Sequence, residues 1–305
     1  MAGPDIVSIG EPLYELNRQP DGRYLAGFGG DTLNVAIAAR RLGASCAYVT
    51  RLGGDVFGDE IRELMIAEGL DVSGVGRDAG APTGIYFVTH GAEGHVFTYR
   101  RKDSAASLMT PGDLDPRLIA GARFVHASGI SQAISETAAQ TVAAAIAIAR
   151  ANGVRVSFDT NFRPRLWTAG QAWPVIAEAA AQADVLKTSA EDCQCLIGLS
   201  APADIAAHFL ALGARAVAVT LGKDGAFIAT ASESWHVPGR AVEAVDATGA
   251  GDAFTGALLA ELVRGRPLDA AARFANAAAA LATQGYGAIA PLPRRAAVEA
   301  MAETG

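Results

Sequence analysis

Val245-Asp246-Ala247-Thr248-Gly249-Ala250-Gly251-Asp252-Ala253-Phe254-Thr255-Gly256 joins a β-prone run to a long Ala/Leu-rich stretch of helical composition. The glycines let backbone atoms approach a bound group closely. The N–H groups of Gly249, Ala250 and Gly251 would then face outward at a helix start, where free donors and the helix dipole favour an anion such as a transferring phosphoryl group. Asp252 follows in the same turn, placed to accept a proton from an attacking hydroxyl while the amides stabilise developing charge. The spacing matches neither GxGxxG nor the GxxxxGKS/T loop, so neither dinucleotide nor Walker-type binding explains these glycines. The plain alternative is an acidic residue in the first turn of a helix that starts at a Gly-rich turn.

Outward from this turn, short β-rich apolar runs alternate with Ala/Leu-rich helical stretches over most of the chain. That pattern predicts an α/β fold in which crossover helices cover both faces of a largely parallel sheet. Strands are expected near 6–9, 46–50, 123–127, 155–158, 185–187 and 216–220, and helices near 33–42, 57–68, 135–151, 203–212, 253–264 and 268–284. Two stretches break the rhythm, 11–27 and 84–101, where Ile85, Phe87, Val96 and Phe97 flank Gly91 and Gly94. They predict a small hairpin-built sheet outside the main core: a candidate lid, or else an ordinary edge hairpin. The expected organisation is one domain over 1–305, with lid strands supplied by those two stretches.

The 305 residues carry a net charge of -7. A basic surface for counterion release is therefore missing, which argues against nucleic-acid and anionic-membrane partners. Cys46, Cys193 and Cys195 form no CxxC pair, and residues 1–10 lack the charged and apolar regions of a secretory leader, so a reducing cytoplasm is the expected location. The cysteines read as small buried hydrophobes. The most apolar run, 142–149, is too short to span a bilayer. His90, His95, His126, His208 and His236 lack HExxH spacing and read as packed or surface residues rather than zinc ligands.

The turn at 246–252 resembles the C-terminal signature of the ribokinase-like (PfkB) carbohydrate kinases, and Gly29-Gly30-Asp31-Thr32-Leu33-Asn34-Val35-Ala36, followed by Leu42-Gly43, resembles the N-terminal one. The resemblance covers residues 5 to 295. It implies a ribokinase-like three-layer α/β/α sandwich with a mostly parallel central sheet and a small β-sheet lid, an ATP and Mg²⁺ requirement, Asp252 as base, and Gly249, Ala250 and Gly251 as the anion hole. It further implies nucleotide contacts from Asn161, Ser189, Thr220, Gly222, Gly225 and Asn276, with Gly249 and Gly251 at the phosphates. Ser189-Ala190-Glu191-Asp192 departs from the family's Asn-x-x-Glu element, so a metal role for Asp192 competes with a simple helix cap. The run Gln284-Gly285-Tyr286-Gly287-Ala288 differs from the commoner Arg-Gly-Ala and leaves dependence on a monovalent cation open.

Within the family, Glu15 and the run Asp159-Thr160-Asn161-Phe162-Arg163-Pro164-Arg165-Leu166-Trp167 are most similar to 2-keto-3-deoxygluconate kinases. That similarity implies sugar contacts from Gly30, Asp31, Asn34, Tyr86, Ile130 and Asp252, with Arg100 and Arg163 reading the substrate carboxylate through their planar forks. Thr98 stands where an aromatic residue is common. Fructokinase- or ribokinase-type activity on a neutral sugar and a non-catalytic sugar or nucleotide sensor are the alternatives. The edge of the lid sheet is open to pairing with a second copy.

Overall fold

Ile6, Val7, Ser8 and Ile9 are all fully buried, as a strand covered on both faces requires. The computed structural model describes residues 3–91 and 94–303, without the side chains of His90, His95 and Glu303, so the expectations for those two histidines lie outside the described residues. Its strands are β1 (Ile6–Ile9), β2 (Leu13–Arg18), β3 (Tyr24–Gly29), β4 (Cys46–Gly53), β5 (Asp71–Asp78), β6 (Ile85–Gly91), β7 (Gly94–Arg100), β8 (Phe124–Ser128), β9 (Arg155–Asp159), β10 (Val185–Ser189), β11 (Ala216–Thr220), β12 (Ala226–Thr230) and β13 (Ser234–Val237). The helices are α1 (Asp31–Arg41), α2 (Val56–Ala67), α3 (Pro116–Ala120), α4 (Gly129–Ala133), α5 (Glu136–Ala151), α6 (Ala169–Ala180), α7 (Ala190–Ile197), α8 (Pro202–Leu212), α9 (Ala250–Val263), α10 (Leu268–Ala282) and α11 (Arg295–Glu303).

Nine strands form the main sheet in the order β13-β12-β11-β10-β9-β8-β1-β4-β5. Pairing is parallel from β5 to β11 and antiparallel for β12 and β13. Alternation along β1 sends Ile6 into one apolar layer with α1, α2, α9, α10 and α11, and Val7 and Ile9 into another with α3, α5, α6, α7 and α8. This is the expected three-layer α/β/α sandwich. After β1 the chain continues to one side through β4 and β5 and later to the other through β8. The order therefore reverses at β1, and the carboxyl ends of the strands there form the customary ligand crevice.

A second sheet, ordered β3-β2-β6-β7, is built by the two stretches that broke the sequence rhythm. Leu13, Tyr86 and Val88 are its buried centre, with Phe97 packed against them. Among the described residues, no single helix is long and apolar enough to cross a membrane. All three cysteines are free; Cys46 and Cys193 are buried as expected, whereas Cys195 is exposed, because α7 turns it outward.

Helix α9 is apolar on every side because it lies between α1 and α10. Its Gly256 packs so tightly on α1 that a β-carbon there would stand 2.7 Å from both the Val35 carbonyl oxygen and the Ala38 β-carbon. Gly256 lies one turn beyond Asp252, and Ala38 one turn beyond Asn34. This contact therefore sets the separation of the two polar residues at the helix starts.

Candidate active site

The turn into α9 has its first residue, Gly249, in the left-handed region (φ 77°), where a β-carbon would also lie 2.9 Å from the Ala288 carbonyl oxygen. Asp246, nearly fully buried, fastens the turn: its carboxylate accepts from the N–H of Thr248 (2.9 Å) and of Gly287 (3.0 Å). The N–H groups of Gly249 and Gly251 meet no acceptor among the described residues and are free to receive an anion. Ala250 departs from expectation. Its N–H closes a tight turn onto the Ala247 carbonyl (3.2 Å), so the cradle is built from the amides on either side of it.

Asp252 sits in the first turn of α9, where the helix dipole favours negative charge. Asn34 Nδ2 donates to its Oδ2 (2.8 Å), while Asn34 Oδ1 is buried without a partner among the described residues and is an acceptor suited to a sugar hydroxyl. One turn back on α1, Asp31 accepts from Asn161 Nδ2 (2.8 Å). Asn161 holds a positive φ of 30° just after β9, a strained conformation for a residue with a β-carbon. Burial pushes the Asp252 carboxyl up to about 7 with help from the Asp31 charge, against the pull of Asn34 and Lys187. A carboxylate titrating there can take a proton from a hydroxyl near neutral pH.

Lys187 is the functional residue that sequence reading passed over. It lies in β10, buried, with Nζ 3.0 Å from Asp159 Oδ2 and packed against Gly251. Burial alone would lower its pKa, yet Asp159, Asp192 and Asp252 together hold the ammonium above its ordinary value. The available signal was a lysine inside a short buried strand that opens with Val185-Leu186, a setting where lysine rarely occurs without a partner. Lys187 thus delivers a positive charge to the amide cradle.

These groups open on a cavity of about 960 Å³ between the main sheet and the second one. Gly30, Asp31, Asn34, Tyr86, Ile130, Asn161, Arg163, Gly249, Gly251 and Asp252 all line it, as does Lys187. Tyr86 donates its hydroxyl to the Glu15 carboxylate and stacks on Tyr99 across the β6–β7 ladder (5.8 Å between ring centroids).

Arg100 is a correction. Its register partner is Ile85, whereas Tyr86 pairs with Tyr99, so strand alternation turns Arg100 to the face opposite the cavity. Arg101, just past the strand, lines the cavity instead, ion-paired with the buried Glu11 and lying over the Tyr99 ring. The same parity puts Thr98 with Phe87 on the outer face, so the missing aromatic side chain is not missing from the cavity.

Ser189, Asp192, Thr220, Gly222, Gly225, Asn276 and Ala250 lie outside the cavity lining. Ser189 caps α7 by accepting from the Asp192 N–H (3.0 Å), and Thr220 donates to the Thr188 carbonyl (3.1 Å). Gly222 and Gly225 shape the turn between β11 and β12, and Asn276 donates to the carbonyls of Val237 and Pro238 (2.9 and 3.2 Å). Among the described residues there is no cluster of three or more metal-ligating side chains. Mg²⁺, however, is commonly held by one or two carboxylates together with water and substrate phosphates. Asp192 is a carboxylate of that kind: burial raises its carboxyl above the usual range, opposed by the nearby charges of Lys187 and Arg163 (Nη1 at 3.8 Å).

An amide cradle flanked by a lysine, with a near-neutral carboxylate facing the cavity, describes an enzyme that moves a phosphoryl group onto a small hydroxylated substrate. The model of the pfkB family carbohydrate kinases matches residues 4–295. The chain is 37% identical to a 2-dehydro-3-deoxygluconokinase of Thermoproteus tenax (95% of this chain, 92% of that one) and 35% identical to fructokinase-1 of Oryza sativa subsp. japonica (98% of each). It superimposes with a TM-score of 0.91 on the crystal structure of an E. coli protein described as ribokinase II, in complex with ATP and Mg²⁺ (28% identity; 99% of this chain, 100% of that one). The chain belongs to the pfkB family and is an ATP-dependent carbohydrate kinase, which sets aside the sensor alternative.

Proposed function

We propose that this kinase phosphorylates the terminal hydroxyl of 2-keto-3-deoxygluconate, a sugar acid. The observation that carries the reading is the polarity of the cavity. Asp252 and Asn34 meet at the starts of α9 and α1, while the charges of Arg101, Arg163 and Arg165 reach the Tyr99 hydroxyl on the second sheet, with Asp31 acting on both Asp252 and Tyr99. A substrate with an alcohol at one end and a carboxylate at the other matches that layout. Asp252 accepts the proton of the alcohol, and the N–H groups of Gly249 and Gly251 with Lys187 stabilise charge on the transferring group.

ATP would extend from the cradle toward the ends of β10 and β11, along Ser189, Thr220, Gly222 and Gly225. There Asn276 acts by fixing the loop after β13. Asp192 would hold Mg²⁺ through water, and the ion would supply charge neutralisation between phosphate oxygens. The second sheet serves as a lid over one kinase domain, working in the cytoplasm.

Action on a neutral sugar such as fructose is the second reading. It is favoured by the Glu11–Arg101 ion pair, which cancels one of the three positive charges, and by the similarity to a plant fructokinase. ADP release measured with keto-deoxygluconate, fructose and ribose separates the two, and kcat/KM highest for the sugar acid is expected. Asp252→Asn should lower kcat by about 100-fold or more, as loss of a general base does; near-parental turnover would remove Asp252 from its role.

A further inference from the structure

The loop after β9 presents two arginines from one tight turn. The Leu166 N–H bonds to the Arg163 carbonyl (2.9 Å), and Pro164 at the second position suits the turn because its ring presets φ. Arg163 leans toward Asp192 (3.8 Å). Arg165 points the other way: Nη1 donates to the main-chain carbonyl of Phe97 (2.9 Å), on a strand 68 positions distant in the chain.

That strand is β7, the edge of the second sheet, which carries Phe97 and Tyr99 over the cavity. An edge strand leaves carbonyls without ladder partners, and Arg165 satisfies one of them. Of the three guanidinium groups around Tyr99, Arg101 is paired with Glu11 and Arg163 faces Asp192. Arg165 has no carboxylate partner among the described residues. A guanidinium has five N–H donors, of which only one is engaged with Phe97, and the side chain lines the cavity mouth.

We propose that Arg165 is both the latch of the lid and a specificity-determining residue, pinning β7 through the Phe97 carbonyl while its remaining N–H groups bind the anionic group of the sugar. The inference rests on the sugar-acid reading above and deepens it. One guanidinium holding both partners links them thermodynamically: anion binding favours the closed lid, and the closed lid favours the anion. A sugar without the acid group would leave the latch half-used, and ATP would be more exposed to attack by water.

The experiment compares the parent chain with Arg165→Met, which keeps bulk but removes charge and donors, and Arg165→Lys, which keeps charge but loses the fork. Kinetics are measured with keto-deoxygluconate and with fructose at saturating ATP, alongside ATP hydrolysis without phosphorylated sugar. For Arg165→Met, KM for the sugar acid should rise about ten- to hundredfold, as for a lost charge-assisted contact. The acid-over-neutral preference should shrink with it, and hydrolysis per sugar phosphorylated should increase. Arg165→Lys should recover part of the KM and little of the coupling. If the parent prefers the acid and Arg165→Met keeps both that preference and the parental KM, this inference is overturned and the proposed function stands. A parent that prefers fructose overturns the proposed function and the anion contact together.

Discussion

Asp252 shows how a single carboxyl carries the consequences of its surroundings. Its pKa of about 7 arises first from burial and then from Asp31, so the base is half-protonated near neutral pH. Activity should therefore rise as pH increases through about 7, with an acid limb of one proton in kcat/KM. Because the hydrogen bond from Asn34 stabilises the ionised form, Asn34→Ala should move that limb to higher pH; a limb left in place would mean another group governs it. Stability carries the same signature. Asp252 titrates near 3.8 when the chain is unfolded and near 7 when it is folded, so the folded state binds more protons between those values and the parent loses stability as pH rises through that window. Asp252→Asn escapes this loss. Its melting temperature should exceed the parent's at pH 8, with the gap closing toward pH 4, and a constant gap would contradict the shift. Such a residue is partly legible in sequence: the Gly-rich turn announces an anion and an adjacent base. Of its partners, Asp31, Asn34 and Asn161 are legible only through the family resemblance and Lys187 not at all, because they come from three other segments that only the folded sheet brings together.

Elements were read where burial makes them monotonous. Strands β1, β8, β9, β10 and β11 are short buried runs covered on both faces, each seeded by β-prone or aromatic residues such as Val125, Phe158 and Val185, and their positions follow from that. Strand β5, with the sequence DVSGVGRD at the sheet edge, is half-exposed and has no such signature. Helix α6 is obscured by Pro174 in its interior, which normally argues against a helix. Misplacing Arg100 has a related cause, since moving one residue along a strand exchanges its faces, and only the pairing of Tyr86 with Tyr99 fixes which face is inward. The packing of α1 on α9 makes a prediction of its own. Gly256→Val places bulk where the helices already touch, and the least costly relief is separation of the two. That separation lengthens the Asn34–Asp252 hydrogen bond one turn away. The expected result is a kcat at least about tenfold lower, because catalytic geometry tolerates little displacement. Chemical denaturation should also show a loss of about 1–3 kcal/mol, the usual cost of overpacking. Stability lost without any fall in kcat would show that the helix contact does not set the catalytic geometry.

At the scale of the molecule, two sheets must act as one enclosure, and Glu11 is placed to join them. It follows β1 of the main sheet, yet its carboxylate accepts from Ser104 (2.5 Å) and pairs with Arg101, both just beyond β7 of the second sheet. The pair is withdrawn from water, with side-chain exposures of 0% for Glu11 and 10% for Arg101. Buried ion pairs add little compared with apolar residues of the same size, but removing one partner strands the other charge at a cost of about 3–5 kcal/mol. Glu11→Ala should therefore destabilise the protein by about that amount in urea unfolding, and Arg101→Met should do so as well if its absence leaves Glu11 uncompensated. The double variant carries no stranded charge, so its loss should fall short of the sum of the single losses by about 1–3 kcal/mol, the range seen for residues in direct contact. Because the pair is buried, that coupling should persist at about 0.5 M salt, where an exposed pair would be largely screened. Strict additivity, or a coupling that salt abolishes, would mean that Glu11 and Arg101 are solvated neighbours and that the two sheets are held together by apolar contacts alone.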